Sequence, residues 1–344
     1  MNDGQHARRL AAMLICMLAI SATVVFPGCA SRRERGDQMP AVPDSFSRSG
    51  VEEVPDRWWK AFGSEKLNST VERALESNFN LQTAWSRLRE ARAVVDREAA
   101  FLYPHLDAFA EGEISRTEAG DDEQLRLGLA ADYEGDLWGR IQSNGEAERY
   151  RARASLYDYR TAALSLSAEV VRTWYQLMEA HAQLDLIKDQ IEANEKVLRL
   201  IKTRFGSGQT RRADILRQEQ LLESTREQKF AAESRIRVLE HQLAVLLGKP
   251  PQDKIEYSQG GLPEMPPVPD TGVPVELLRR RPDVRSAYSL VKAADRDLAA
   301  AISNQYPRLT LTASLAGTED NATDLFDEWA RSFAGDLTAP LLDA

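Results

Sequence analysis

An internal repeat constrains what this 344-residue chain can fold into more than any other feature of its sequence. Residues 80–106 align without a gap with residues 283–309, and each copy has a helical pattern that ends in Tyr-Pro, at Tyr103-Pro104 and Tyr306-Pro307. Proline cannot continue a helix, and it pushes the preceding residue towards extended geometry. Each copy is therefore predicted to change from helix to strand at its Tyr-Pro pair, and the chain to contain two equivalent units.

Two segments of alternating polarity follow each Tyr-Pro pair. They predict four strands of about nine or ten residues, each with one apolar and one polar face, which include residues 106–114, 125–133, 309–315 and 333–341. This is the length of a tilted strand that crosses a bilayer. The connections at 116–124 and 317–332 are acidic and polar, as expected of loops outside a membrane.

Four strands leave two interpretations open, because they are too few to close a membrane barrel. Open strand edges are not tolerated in lipid, and the smallest closed membrane barrels have about eight strands. Either the sheet is soluble and packs on a core, or several chains contribute strands to one barrel.

A very long helix is predicted between the two strand pairs. Residues 141–205 contain no proline, and a helix of that length would extend roughly 100 Å. Two heptad lines run along it, on different faces, which predicts neighbours on two sides; a single coiled-coil hairpin with some scatter is the alternative. The lines consist of Leu164, Ala168, Val171, Tyr175, Met178 and Ala182, and of Leu177, Ala180, Leu184, Ile187, Ile191, Asn194, Leu198, Ile201 and Phe205.

A glycine-containing reversal at 206–210 turns this helix into a hairpin. The return helix is predicted over 213–247 and is shorter than its partner, so that roughly 45 Å of the outgoing helix must pack against something else. Residues 260–274 read as a Pro/Gly-rich linker, and Pro282 is predicted to start the helix of the second repeat at its first turn.

The N-terminus has the pattern of an export signal. Arg8 and Arg9 precede an apolar run at 10–26, and Cys29 follows a small residue, which predicts a signal peptide cleaved before a lipidated Cys29. Ordinary secretory cleavage or an uncleaved anchor helix are the alternatives. Ala30 after the cysteine fits sorting to an outer membrane.

Composition excludes several classes of protein. The net charge of −9 argues against a nucleic-acid partner, and the mean hydropathy of −0.44 against a bundle of transmembrane helices. The only cysteines are Cys16 and Cys29, so neither a disulfide framework nor a cysteine metal site is expected. No nucleophile elbow, phosphate loop or HExxH motif is present, and we therefore expect no enzyme activity, metal or cofactor.

Several motifs together resemble the TolC/OprM-like outer-membrane efflux channel family, especially its lipoprotein branch. The resemblance covers residues 51–344. The motifs that carry it are DRWWKAFG at 56–63, the strand-to-helix elbow YEGDLWGR at 133–140, RF-x2-G-x5-DIL at 204–216, LAVLLGKPP at 243–251 and LLRRRPDVR at 277–285.

The resemblance implies a fold that is mainly α with a membrane β-barrel contribution, and a function in efflux. Three chains would form a homotrimer, with four strands per chain in a twelve-strand barrel and a periplasmic tube of helices. Such a channel is a passive export conduit for small molecules, working with a periplasmic adaptor protein and an inner-membrane RND-type pump. The alternative is a periplasmic coiled-coil adaptor or structural lipoprotein without channel activity.

The same resemblance assigns the adaptor contact to the hairpin tip, at Arg204, Ser207, Gly208, Gln209 and Asp214. Asp214 matches an acidic residue associated with closing the channel end. A purely local role is equally consistent with its position, because acidic side chains are favoured at helix N-termini.

Five segments are predicted along the chain. They are a signal peptide at 1–28, a lipidated extended segment at 29–65, a first repeat with the long hairpin at 66–250, a linker at 251–281 and a second repeat at 282–344. If the two repeats build equivalent units, the second lacks a hairpin of roughly 110 residues, and we expect the sequence to be a fragment of a longer channel. A natural half-length variant is the alternative.

Overall fold

A computed structural model describes residues 46, 57–117, 120–254, 257, 266–267, 270, 272–319 and 328–341. The predicted signal peptide and Cys29 lie outside the described residues. After a short 3-10 helix at Trp58–Phe62, the elements in chain order are α1 (Glu65–Ser77), α2 (Phe79–Ala100), β1 (His105–Thr117), β2 (Gly120–Gly135), α3 (Arg140–Gly206), α4 (Arg212–Leu246), α5 (Pro274–Arg280), α6 (Pro282–Ser303), β3 (Arg308–Glu319) and β4 (Ala330–Thr338).

Both Tyr-Pro pairs lie between a helix and a strand, as predicted. The first falls between α2 and β1, and the second between α6 and β3. Pro282 occupies the first turn of α6. Backbone N–H groups in the first turn have no partner within the helix, so a proline there costs no hydrogen bond. The first two helices start at polar caps: Ser64 Oγ accepts from the Leu67 N–H at 3.3 Å at the start of α1, and Asn78 Oδ1 accepts from the Leu81 N–H at 3.1 Å at the start of α2.

The four strands form one antiparallel sheet in the order β1-β2-β3-β4. Their register places the predicted apolar residues on a common face: Leu129 of β2 lies opposite Ala108 of β1 and Leu315 of β3, and Ala313 of β3 lies opposite Phe333 of β4. Because side chains alternate along every strand, the polar residues share the other face. The period-two prediction is therefore confirmed for the predicted residues of β1, β2 and β3, and for Phe333 and Leu337 of β4.

The lengths predicted for the first three strands were wrong. β3 has 12 residues, and both ends of the loop expected at 317–332 are strand. β1 and β2 have 13 and 16 residues, and pair directly from His105–Asp132 to Thr117–Gly120. Most of the loop expected at 116–124 is consequently strand, because backbone pairing continues after the alternation of polar and apolar side chains has ended. At the other end of the sheet, β4 ends at Thr338, and Leu341 lies beyond it and is fully exposed.

α3 and α4 form the predicted long hairpin. The second heptad line of α3 does face α4, with Leu177, Ala180, Leu184 and Ile187 all buried. The first line was partly wrong, because Leu164, Ala168 and Ala182 are exposed. In their place Val170 and Trp174 are buried, since the neighbours of α3 at this level are α1 and the Trp58–Phe62 helix.

The part of α3 that extends beyond α4 packs on α2 and α6, as its excess length predicted. Charged pairs join α3 to α6: Arg151 pairs with Asp297, and Glu146 lies 3.1 Å from Arg296. The Arg285 guanidinium lies over the ring of the buried Tyr157, 4.3 Å from its centroid. The two repeats are therefore held together along their helices as well as through the sheet.

Two predicted extended or linker segments contain helix. Residues 58–62, expected to be extended, form the 3-10 helix, whose Trp59 is buried and whose Trp58 Nε1–H donates to Ser167 Oγ at 3.2 Å. The linker expected at 251–281 contains α5, which begins at Pro274. Among the described residues, no helix is long and apolar enough to cross a membrane.

Candidate functional site

The hairpin tip is a compact reversal built on backbone hydrogen bonds. α3 ends at Gly206, and the N–H groups of Gly208 and Gln209 donate to the carbonyls of Phe205 and Arg204, each at 2.9 Å. Gly208 has φ +76°, a left-handed conformation that glycine adopts without steric cost. The glycine pattern in the sequence thus reflects a real geometric requirement of this turn.

Asp214 stabilises the start of α4. Its Oδ2 accepts from the Arg211 N–H at 3.1 Å, and its own N–H donates to the Arg211 carbonyl at 3.0 Å. Arg217 lies 3.6 Å from the same carboxylate. The local role of Asp214 is therefore confirmed, while a role in closing a channel end stays a prediction.

The predicted tip residues lie within one short stretch around the reversal. Arg204, Ser207, Gly208 and Gln209 are exposed, and Asp214 is half-buried on the first turn of α4. The structure therefore brings all five together at one end of the hairpin, where they are open to a partner.

A polar contact in the helix–helix seam lies below the tip. The Asn194 Nδ2–H donates to Thr225 Oγ1 at 3.2 Å, and Gln218 Nε2–H donates to the Asn194 carbonyl at 3.3 Å. Arg226 pairs with Glu195 at 2.8 Å beside it. A polar residue in an otherwise apolar seam fixes the register of a coiled coil. The position of Asn194 within the heptad line was the available sequence signal for this role.

At the opposite end of the hairpin, the elbow motif builds the junction between sheet and helix. The two carboxylate oxygens of Asp136 accept from the Ile141 and Gln142 N–H groups, at 3.0 and 2.8 Å. The Arg140 guanidinium binds Glu134 through two N–H groups, at 3.1 and 2.7 Å. These contacts satisfy the first turn of α3 and fix its direction relative to β2.

The elbow of the first repeat also holds the Tyr-Pro pair of the second. The Trp138 Nε1–H donates to the Pro307 carbonyl at 2.7 Å, and its ring stacks on Tyr306 with centroids 4.9 Å apart. Ser303 Oγ–H donates to the Trp138 carbonyl at 2.9 Å. The sequence showed both motifs but did not predict their contact, because no linear pattern indicates that the elbow of the first repeat packs on the Tyr-Pro pair of the second.

A third polar cluster joins the two hairpin helices to Tyr257. The Tyr257 hydroxyl donates to Glu240 Oε1 at 2.7 Å and lies 2.6 Å from His181 Nε2, with the two rings 5.3 Å apart. His181 belongs to α3 and Glu240 to α4. Tyr257 therefore bridges both helices from the segment that follows them, and the sequence had no signal for this contact.

Shifted pKa values occur on the helices. Burial raises the pKa of the Tyr175 hydroxyl. A hydrogen bond from Lys188 lowers the pKa of Asp185, and one from Arg281 lowers that of Asp283. The two carboxylates are solvent-exposed partners in ion pairs, so these shifts indicate local structure rather than acid–base chemistry.

A cleft of about 620 Å³ lies beside the first Tyr-Pro pair. Its lining includes Arg97, Phe101, Tyr103, Glu134 and Arg140, two of which already pair with each other. Within the described residues there is no group of three potential metal ligands.

Comparison with known proteins identifies the class. Residues 70–249 match the family model described as outer membrane efflux protein. The chain is 30% identical to the pyoverdine export outer membrane protein OpmQ of Pseudomonas aeruginosa, over 94% of this chain and 72% of that protein. It is 26% identical to the probable outer membrane lipoprotein SilC of Salmonella typhimurium, over 90% of this chain and 70% of that protein.

Solved structures give the same result. The outer-membrane channel OprN superposes with a TM-score of 0.80 at 26% identity, covering 88% of this chain and 71% of that one. The open state of the MtrE outer membrane channel of Neisseria gonorrhoeae gives 0.76 at 26% identity, with 89% and 70% covered.

A long helical hairpin rooted in a four-strand sheet with one apolar face thus defines an outer-membrane channel protein with a periplasmic helical part. The chain belongs to the outer membrane efflux protein family. It is an outer-membrane efflux channel component, and its family is a class of structural channels rather than of enzymes.

Proposed function

We propose that three copies of this chain form a passive conduit through the outer membrane. The observation that carries the proposal is the sheet: its two outer strands, β1 and β4, each have one unpaired edge among the described strands, and one face is mostly apolar. An open edge in lipid leaves backbone groups without hydrogen-bond partners. Pairing β4 of one copy with β1 of the next removes every such edge, and three copies give a twelve-strand barrel.

The first Tyr-Pro pair supports the same arrangement. Tyr103 is 72% exposed, whereas its repeat counterpart Tyr306 stacks on Trp138. Because equivalent units are expected to make equivalent contacts, we expect a neighbouring copy to pack against Tyr103. We therefore place the interface between copies at β1 and at the loop before it.

The tip residues are the proposed contact with a periplasmic adaptor protein. Arg204, Ser207, Gly208 and Gln209 are exposed at the far end of a helix of 67 residues, roughly 100 Å from the sheet. An inner-membrane RND-type pump, working through that adaptor, supplies energy and cargo. The conduit itself carries out no catalysis and uses no cofactor, and small molecules pass along it from periplasm to exterior.

Cys29 is the proposed lipid attachment site, which anchors the chain to the inner leaflet of the outer membrane. The test is mass spectrometry of the N-terminal peptide of the mature chain. A diacylated or triacylated cysteine is expected, and an unmodified Cys29 or cleavage at another residue would contradict this proposal.

Disulfide cross-linking between copies tests the trimer. The sequence has no cysteine after residue 29, so introduced cysteines react without interference. We would combine Glu111→Cys in β1 with single cysteines at 330, 332 or 334 in β4, which lie on the same face of the sheet, in chains expressed in outer membranes. Cross-linked dimers and trimers are expected for one register. Ala130→Cys in the central strand β2 is the control, and should give none. Absence of cross-links in all three combinations contradicts the β1–β4 interface.

A further inference from the structure

The charge of the hairpin tip is opposite to that of the chain. Between residues 199 and 217 there are six basic residues and one acidic residue, a net charge of +5, in a chain of net charge −9. The excess is concentrated on both sides of the reversal at Gly208. Concentrated charge of one sign creates a local potential that attracts partners of the opposite sign.

Four of these six cations form no ion pair among the described residues: Arg199, and three that flank the reversal more closely. Lys202 pairs with Glu219 at 2.8 Å and Arg217 with Asp214 at 3.6 Å. Arg204, Arg211 and Arg212, which we call the basic tip, are exposed and pair with no described carboxylate. Their guanidinium groups are therefore available to another molecule.

The fold itself gains little from two of them. Arg211 and Arg212 precede and begin α4, where the helix dipole disfavours positive charge. The cap of that helix is supplied by the Asp214 carboxylate acting on the Arg211 backbone, so neither guanidinium is needed for it. The local structure therefore does not account for these two arginines.

Exposed apolar side chains accompany the charges. Phe205 and Leu216 lie on the two helices next to the reversal, with 44% and 56% of their surfaces exposed. Arginine together with exposed aromatic and aliphatic groups is typical of protein interfaces. A lipid surface fits less well, because the sheet that we place in the outer membrane lies at the other end of α3.

We propose that the basic tip docks on an acidic surface of the periplasmic partner protein. This inference rests on the adaptor contact proposed above and adds the chemistry of the partner: carboxylates placed to meet Arg204, Arg211 and Arg212 of each copy. Electrostatic recognition of this kind determines which partner is accepted and how fast it associates, and it weakens as salt is added.

The test measures binding of the full chain, in detergent, to each purified periplasmic adaptor protein that the host encodes. Wild type is compared with the double variant Arg211→Gln/Arg212→Gln at roughly 0.05 M and 0.3 M salt. The matched control is Arg237→Gln, which removes an exposed charge from the same helix, far from the tip. Glutamine preserves helix propensity, so folding is expected to be unchanged.

At low salt the double variant should bind about tenfold more weakly than wild type, and the control within about twofold. The difference should shrink at high salt. Equal affinities, or a loss of the same size at both salt concentrations, would overturn the acidic docking surface. Binding of both chains to vesicles containing phosphatidylglycerol is measured in parallel. If the double substitution abolishes vesicle binding and leaves adaptor binding intact, the acidic docking surface is also overturned.

An export assay in the same strains separates this inference from the proposed function. If the wild-type chain restores export and the double variant binds the adaptor equally well, the charge inference fails and the conduit stands. If the wild-type chain neither binds an adaptor nor restores export, both fail.

Discussion

Gly248 is the residue at which backbone geometry and packing are most tightly coupled. It ends the turn after α4 with φ +67°, and a Cβ built on it would lie 2.3 Å from the Ser77 carbonyl oxygen. The surrounding contacts explain this approach: Ser77 Oγ–H donates to the Leu247 carbonyl at 2.8 Å, and Asn78 Nδ2–H donates to the Leu246 carbonyl at 3.0 Å. The end of α4 is thus fixed to the junction of α1 and α2.

We expect Gly248→Ala to destabilise the protein by about 2–4 kcal/mol. The added Cβ would clash with Ser77, and alanine would also be strained in the left-handed conformation that glycine adopts there. Gly139→Ala separates the two causes, since Gly139 has φ +74° and nothing within 4 Å of a Cβ; its cost should be about 1–2 kcal/mol. Gly145→Ala, inside α3 and also unobstructed, should be stabilising by about 0.5–1 kcal/mol. Denaturant unfolding in detergent measures all three. A Gly248→Ala cost no larger than that of Gly139→Ala would refute the clash.

At the scale of the element, the elbow decides how α3 leaves the sheet. The N-cap residue Gly139 has no side chain, and Asp136 takes over its function from three residues upstream. This arrangement leaves Trp138 free to project towards the second repeat, where it contacts Tyr306 and Pro307.

Asp136→Ala removes both acceptors from the first turn of α3 and should cost about 1–2 kcal/mol. Asp136→Asn keeps one acceptor oxygen and should cost less. The control is Asp158→Ala, an exposed position further along the same helix, which should change the free energy of unfolding by less than about 0.5 kcal/mol. Equal unfolding midpoints for the alanine variants at 136 and 158 would rule out the capping role.

At the scale of the whole molecule, we predict that Tyr306 stabilises the single chain, whereas Tyr103 stabilises the association between copies. Tyr306 stacks on Trp138 within the chain, whereas Tyr103 is exposed on it. Tyr306→Ala should therefore lower the stability of the single chain, by about 1–3 kcal/mol. Tyr103→Ala should leave it within about 0.5 kcal/mol and instead weaken association between copies. Denaturant unfolding of monomers and the heat stability of the oligomer on gels measure these effects. An unchanged oligomer in Tyr103→Ala would contradict the proposed interface.

The exposed ion pairs of Asp283 and Asp185 should make the stability of the molecule depend on pH only in acid. The pKa of Asp283 is lowered below its ordinary value of 3.8, first by the hydrogen bond from Arg281, and that of Asp185 is lowered by Lys188. A lowered pKa means that the folded state favours the ionised form, so the contribution is complete above the ordinary value and is lost as the pH falls through the lowered one.

The contribution of these two ion pairs to the unfolding midpoint, measured from pH 7 down to about pH 3, should therefore be lost only below about pH 4. Asp283→Asn should lie below wild type at pH 7, and the two curves should converge in acid. Because both carboxylates are exposed, the difference should shrink in high salt. A difference that persists unchanged at pH 3 would show that Asp283 acts through something other than its charge.

The sequence by itself determined the periodic features. Alternation in the strands, the heptad line facing α4, the Tyr-Pro switches, the glycine reversal and the five residues gathered at the tip all follow from local rules that act within a few residues. The alignment of residues 80–106 with 283–309 also predicted two equivalent units.

Only the tertiary structure decided which distant groups meet. The length of β1 and β2 depends on pairing rather than on alternation, and the burial of Val170 and Trp174 depends on the Trp58–Phe62 helix. Likewise, no linear pattern reveals that Trp138 holds Tyr306 or that Tyr257 bridges His181 and Glu240. Side-chain periodicity is fixed by the geometry of one element, whereas partners far apart in sequence are selected by the packing of many.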